Sequence, residues 1–285
     1  MAKTLTIQDF FKRFPDDAAC LAHLFSLRYG PDFGCPKCGV IGAFRKLAKI
    51  PAYTCNCGHH VHPMQGTIFE ASHTPLTKWF YALYLFTTTR HGVPSKEMQR
   101  QLGVSYPTAL RMTHLIRQHM ARTDGDPSLG GHVEVEETYV GGVKKGGKCG
   151  RNASEKVAIF GMVERGGDII TRIVPDVSKK TLICHIAKKV DKGTVISSDE
   201  WPAYKGLAKA GYKHGAVNHG NEQWVDGIHH TNTIEGFWSH FKRSVRGTHV
   251  SVSRKHLAKY LGEFEFRYNM RHSPTVMFGR LLASF

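Results

Sequence analysis

At 285 residues the chain is long enough to bury a full core and to divide into two or three units, and its 41% hydrophobic and 22% charged residues exclude a disordered or low-complexity protein. Thirty-nine Lys and Arg against 23 Asp and Glu leave a formal charge of +16, which favours a polyanionic partner without choosing between DNA, RNA and acidic membrane. The longest apolar run, Trp79 to Phe86, falls well short of the roughly 20 residues that cross a bilayer, and the opening Met1-Ala2-Lys3-Thr4-Leu5 lacks the apolar centre of a signal peptide. The expectation is a cytoplasmic protein with no membrane partner.

After an N-terminal helical segment at residues 1–30, a small metal module is expected over 31–72. Cys35-Pro36-Lys37-Cys38-Gly39 places two thiolates three positions apart before a Gly, the spacing that lets a backbone turn around one ion. The second half is tighter, because Cys55-Asn56-Cys57 is a Cys-x-Cys, so His59, His60 and His62 stand as alternatives to Cys55. In the reducing cytosol these cysteines read as ligands, and the set Cys35, Cys38, Cys55 and Cys57 reads as a structural zinc site whose task is folding. Cys20 and Cys184 have no partner at ligand spacing and are expected in the core.

Residues 73–125 carry a helix at Thr77 to Thr88 and then a helix-turn-helix pattern. Met98 and Leu102 repeat at helical spacing, Gly103 stops the helix, and Ser105 caps a second one with Pro107 in its first turn. Ala109, Leu110, Met112 and Ile116 supply its apolar positions. Thr108, Arg111, His114 and Arg117 are expected to face outward as donors to a major groove, with a plain helical hairpin as the rival.

From residue 126 to 285 the pattern becomes α/β. Strands are expected at His132 to Glu136, Val157 to Val163 and Ile169 to Val174, then a helix at Thr181 to Val190 and a strand at Thr194 to Ser198. A three-stranded meander, a right-handed crossover and a parallel strand give the mixed sheet of an RNase H-like fold. Glu136 would end the first strand and Asp199 follows the fourth, at the carboxyl ends where open α/β sheets hold their sites. Alternation is expected to turn Glu134 and Glu137 away to the other face. A helix opening at Thr231-Asn232-Thr233-Ile234-Glu235 supplies a third acid with thirty-five residues between it and Asp199, and Lys242 lies two turns further along. Each acid alone has an ordinary reading: a solvated edge for Glu136, a helix cap for Asp199, a surface ion pair for Glu235.

At this point the chain resembles the ISXO-like group of bacterial insertion-sequence transposases over nearly its whole length. The resemblance is carried by Phe33-Gly34-Cys35-Pro36-Lys37-Cys38-Gly39, Gly66-Thr67-Ile68-Phe69, and Val135-Glu136-Glu137-Thr138-Tyr139-Val140-Gly141-Gly142. Ser198-Asp199-Glu200-Trp201-Pro202-Ala203-Tyr204, His230-Thr231-Asn232-Thr233-Ile234-Glu235-Gly236-Phe237-Trp238 and Glu263-Phe264-Glu265-Phe266-Arg267-Tyr268-Asn269 complete it.

The resemblance implies a zinc ribbon, a helical DNA-binding segment and a DDE catalytic domain working on double-stranded DNA, both transposon ends and target, with two Mg²⁺ or Mn²⁺ ions. It implies a nucleoid-associated enzyme acting as a homodimer or higher assembly. Position by position, the acids become Glu136, Asp199 and Glu235, with Lys242 as the helix cation and Arg243 beside it on DNA. Asn232 matches a polar position that some members use instead of the third acid, so two third ligands stand open. The family pattern has Asp where this chain has Glu136, one methylene longer in a Mg²⁺ site that demands near-ideal geometry. Either the site adapts, or the protein is a weakened or inactive transposase relative that only binds DNA. An RNase H-like nuclease without strand joining is the third reading. Nine Lys or Arg against two Glu from Gly236 to Phe285 suit a phosphate-tracking surface, and Lys144 to Lys156 reads as a basic loop beside the first acid.

Overall fold

The computed structural model describes residues 5–141 and 156–285; apart from Lys156, the basic loop expected at Lys144 to Lys156 lies outside them. The chain forms two compact units, one ending at Thr123 but completed by Ser273–Phe285, the other Asp124–His272. The last thirteen residues therefore leave the α/β domain to which the sequence reading assigned them.

In the first unit, helices α1 (Ile7–Arg13) and α2 (Asp17–Tyr29) start on side-chain caps, Thr6 in a reciprocal box with Asp9, and Asp16 accepting the Ala19 N–H at 2.8 Å. A three-stranded antiparallel ribbon follows, β1 (Phe44–Lys46), β2 (Tyr53–Cys55) and β3 (His60–Val61). Helix α3 (Leu76–Thr88) begins after Pro75 with no cap of its own. The Asp17 carboxylate, at the start of α2, serves instead, accepting from the Thr77 N–H at 2.8 Å and its hydroxyl at 2.9 Å. After α4 (Ser95–Leu102), α5 (Tyr106–Asp124) and, much later in the chain, α9 (Met277–Ala283), the core closes on aromatic rings. Phe10, Phe14 and Phe80 are buried against Phe278 of α9, which is why the C-terminal residues belong here.

The second unit is built on a five-stranded sheet ordered β6-β5-β4-β7-β8: β4 (His132–Val140), β5 (Val157–Glu164), β6 (Ile169–Val174), β7 (Val195–Ser198) and β8 (Lys213–Ala216). β4, β5 and β6 form an antiparallel meander, whereas β7 pairs with β4, and β8 with β7, in parallel. That order, with α6 (Lys179–Lys189) as crossover, is the RNase H-like sheet. Odd-numbered β4 residues Val133 and Val135 pack with Leu182 and Ile186 of α6 on one face. The other face is covered by α7 (Asn232–Ser244) and α8 (Leu257–Asn269), through Ile234, Phe237, Trp238, Phe241, Leu261 and Phe264.

Two side chains of α8 finish the exposed edge of β6. Glu265 accepts from the Thr171 N–H at 2.9 Å, and Asn269 accepts the Ile169 N–H at 2.7 Å while donating to the Ile169 carbonyl at 3.0 Å. One helical turn apart, they answer backbone groups two residues apart on the strand, which blocks further strand addition.

Three expectations are corrected here. β4 continues to Val140, so Glu136 sits in mid-strand and does not end it. Cys184 is exposed, because α6 buries Leu182 and Ile186 and a residue two positions on from Leu182 points about 200° away. Arg117 is fully buried, its guanidinium donating to the Val93 carbonyl at 2.9 Å and lying over the Phe86 ring. A run spaced every third residue drifts about 60° per step around an α-helix, so Arg117 stands opposite Thr108 and falls into the buried stripe of Ala109, Thr113, Ile116 and Met120.

Candidate active site and metal cluster

The four ribbon cysteines meet at the end of β2. Their sulfur atoms all lie within 4.8 Å of one another, the only such group of possible metal ligands among the described residues. Cys35 and Cys57 are 3.6 Å apart, as are Cys38 and Cys55. Tetrahedral zinc with bonds of about 2.3 Å would space its thiolates at roughly 3.8 Å, so the four fit one ion. Cys55 is not awkward: the Gly58 N–H closes the turn onto its carbonyl at 2.9 Å, and Gly58 takes a φ of 83° that the tighter spacing requires. His59, His60 and His62 are not part of the group.

In the second unit, register places the acids. Glu134 stands beside Ser197 in the parallel β4–β7 ladder, and continuing that register two residues sets Glu136 beside Asp199, just past the end of β7. Residues two apart share a face of a strand, so Glu134 and Glu136 both turn toward α7; only Glu137 goes to the other face, where it accepts the Tyr204 hydroxyl at 2.8 Å. The expectation that both neighbours point away therefore fails for Glu134.

Glu134 locks α7 in place. Fully buried, it accepts from the N–H groups of Thr233 and Ile234 at 2.8 and 3.1 Å, from the Thr233 hydroxyl at 2.9 Å, and from Arg165 at 2.7 Å. It satisfies amides that a helix start leaves open, and it brings a negative charge to the positive end of the helix dipole. Arg165 also donates to the carbonyls of Ile228 and His230 at 2.8 and 3.0 Å, fixing the approach to the helix. Below, α7 sinks onto β5 where Gly161 leaves room: a Cβ there would sit 2.4 Å from the Trp238 ring. Glu134, Arg165 and Gly161 were not singled out from sequence, although Glu134 lies two residues before the first acid, the spacing that signals a shared face.

So positioned, α7 brings Glu235 and Lys242 toward Glu136. The Glu136 carboxyl is pushed up to about 8, first by burial, then by the negative charges of Glu235 and Asp199, with Lys242 opposing the rise. Its Oε2 is buried with no hydrogen-bond partner. Burial, with Arg246 and Lys156 nearby, lowers the Lys242 ammonium, and Glu136 works against that. Glu235 accepts from the Thr231 hydroxyl at 2.6 Å and lies 3.4 Å from His219 Nε2, which itself is 3.3 Å from Thr231. Asp199 uses Oδ1 to accept the Trp201 N–H at 3.0 Å, opening the short turn that follows, and Trp201 packs into the core. Asn232 is exposed at the first position of α7, and Arg243 is exposed near its end. In the first unit, Arg111 is exposed on α5 with Thr108 and His114 half-buried.

An unpaired buried carboxylate oxygen of Glu136, under the charges of two further carboxylates and of Lys242, is a hard-donor environment that a divalent metal would suit. The oxygens of the three acids are not all drawn within 4.8 Å of one another as the thiols are.

The fold and site define an RNase H-like α/β domain preceded by a zinc-ribbon module. Family models agree: the ISXO2-like transposase domain matches residues 128–269, and the transposase zinc-ribbon domain matches residues 15–60. The chain belongs to the ISXO2-like transposase family. It is 26% identical over 283 residues, 92% of this chain and 94% of the relative, to an uncharacterized protein in transposable element ISH50 of Halobacterium salinarum. It is 29% identical over 101 residues, 35% of this chain and 80% of the relative, to an uncharacterized transposase-like protein of Haemophilus influenzae. Among solved structures, the Mos1 strand transfer complex aligns at a TM-score of 0.30 and 10% identity over 72% of this chain and 77% of that one. A pre-cleavage Mos1 transpososome gives 0.29 and 13% over 72% and 78%. The fold assignment rests on the sheet order. No helix among the described residues is long and apolar enough to cross a membrane.

Proposed function

We propose that this protein binds the ends of an insertion sequence and cuts and rejoins DNA strands at Glu136, Asp199 and Glu235. The observation that carries the reading is that Glu235 and Asp199, up to 99 residues away in the chain, both act electrostatically on Glu136, whose buried carboxylate oxygen has no donor.

Two Mg²⁺ or Mn²⁺ ions held there would activate the attacking oxygen and neutralise the leaving one. Glu136 on β4 and Asp199, just past the end of the neighbouring β7, hold one side of that site, and Glu235 closes the other from α7. The Thr231 hydroxyl, donating to Glu235 Oε1, and His219, beside both of them, fix the Glu235 rotamer. Lys242, with Arg246 and Lys156 behind it, binds a phosphate and offsets the charge of the acids. Glu235 is favoured over Asn232 as third ligand because its charge is felt at Glu136, while Asn232 is turned to solvent. The longer Glu136 is accommodated in mid-strand, where pairing with Gly161 of β5 fixes its backbone.

Zinc on the four cysteines holds a ribbon of eight strand residues that is too small to fold by apolar burial alone. Thr108, Arg111 and His114 on α5 contact duplex DNA, and joining two ends to one target calls for at least a pair of chains. The test is incubation of the protein with labelled, end-bearing duplex and Mn²⁺. Cleavage with strand transfer, abolished in Asp199→Ala and retained or raised in Glu136→Asp, is the expected result. Binding without cleavage in both the natural and Glu136→Asp proteins would leave only a DNA-binding protein, and cleavage without joining a nuclease.

A further inference from the structure

Between β8 and α7 the chain makes a loop whose base is anchored and whose tip is apolar. Asp226 and His229 exchange backbone hydrogen bonds at 2.9 and 2.8 Å, closing a two-residue hairpin over Gly227 and Ile228, with Gly227 at a φ of 57°. His229 packs over Gly215, where a Cβ would lie 2.3 Å from its ring, and its Nδ1 is 2.8 Å from the Ser197 hydroxyl. Arg165 grips the Ile228 carbonyl from the strand side. On this fixed base Trp224, Val225 and Ile228 are 57%, 52% and 61% exposed. Three large apolar side chains in five residues are a concentrated patch rather than scattered surface.

Two further observations choose the occupant. The Trp224 ring lies 4.8 Å from His219, centroid to centroid, and His219 touches Glu235, so the tryptophan stands one imidazole away from an acid of the proposed site. From His214 to Phe241 the sequence contains no Lys or Arg, while Glu222 and Asp226 flank the tip. The loop brings no Lys or Arg of its own to hold phosphate, and it presents an aromatic face beside the proposed phosphodiester site. An unpaired nucleobase is the part of a nucleic acid that such a surface takes, since every base has a π-face and stacking needs no cation.

We infer that Trp224 is a stacking platform for an unpaired DNA base next to the scissile phosphate, with Val225 and Ile228 shielding the stack from water. The inference rests on the DNA-processing reading of the same site. Trp224 is a substrate-binding residue there, stacked on a base beside the reacting phosphate.

The probe is a short duplex carrying a single-stranded 3′ overhang, compared with the same duplex whose overhang lacks bases, in buffer without divalent ions. Trp79 and Trp238 are buried and Trp201 is packed in the core, so quenching of tryptophan fluorescence by the overhang should come from Trp224. Quenching is expected with the base-bearing overhang alone, lost in Trp224→Ala, and accompanied by a roughly 5- to 100-fold weaker affinity for that probe. Trp224→Phe should restore most of the affinity. Equal affinity of natural protein and Trp224→Ala for the two probes would overturn the inference, as would a change of oligomeric state in Trp224→Ala with DNA affinity intact, which would make the patch a contact between copies. Quenching by the natural protein with no cleavage when Mn²⁺ is added would instead sink the catalytic reading and leave the stacking site standing.

Discussion

Replacing Glu136 by Gln tests the electrostatics of the proposed site without substrate. In the folded protein the Glu136 carboxyl titrates near 8, raised chiefly by burial and then by Glu235 and Asp199, against an ordinary value of 4.5. Between those values the unfolded chain has lost this proton and the folded chain keeps it. Folded protein therefore binds more protons than unfolded, and stability falls as pH rises from 4.5 toward 8, then levels off. At about 1.36 kcal/mol per pKa unit, the full displacement amounts to roughly 3 to 5 kcal/mol in the absence of metal. Gln carries no proton to lose, so Glu136→Gln should match the natural protein near pH 5 and exceed it progressively toward pH 8. Thermal unfolding followed by circular dichroism across pH 5 to 9, with chelator present, reads the difference between the two proteins. Added Mn²⁺ should then raise the natural protein's midpoint at pH 8 and leave the variant's nearly unchanged, since ligand bound only to the folded state stabilises it. Parallel pH curves for the two proteins would refute both the burial of this carboxyl and its exposure to two neighbouring acids.

Truncating Glu134 to Ala strands the Arg165 guanidinium and two amides at the start of α7, and should cost about 3 to 5 kcal/mol in urea unfolding while abolishing Mn²⁺ binding. Gly161→Ala drives a methyl into Trp238 and should lower stability by about 1 to 3 kcal/mol, with α7 displaced in a crystal structure of the variant. Arg111→Ala should weaken duplex binding with no shift in unfolding midpoint, whereas Arg117→Ala should lower the midpoint clearly, because only the second residue is buried and holds the Val93 carbonyl. Stripping metal with a strong chelator should release one zinc per chain, measured by a colorimetric dye, and expose the ribbon to proteolysis near Cys35–Cys57.

Much was legible along the chain because the signals are local. Thiol spacing pointed to the ribbon ligands with nearby histidines still open, and Gly103 and Ser105 marked the turn between α4 and α5. Apolar runs with intervening turns placed β5, β6 and β7 nearly to the residue, whereas β4 runs four residues past its expected end and the short edge strand β8 carried no apolar run to announce it. Errors came where one period was carried too far. Threefold spacing put Arg117 outside a helix whose true repeat turned it inward, and an alternation miscounted by one residue sent Glu134 away from the face it shares with Glu136.

The identity of the acids and of the four thiols was set by the sequence itself, since only side-chain type decides what can bind a cation. What brings Glu136 beside Asp199, seats α7 on Gly161 and hangs the last helix on the N-terminal unit is pairing between segments tens to hundreds of residues apart. Those contacts arise from sheet register and mutual burial, which depend on the whole chain being folded and leave no periodic trace in any one stretch of it.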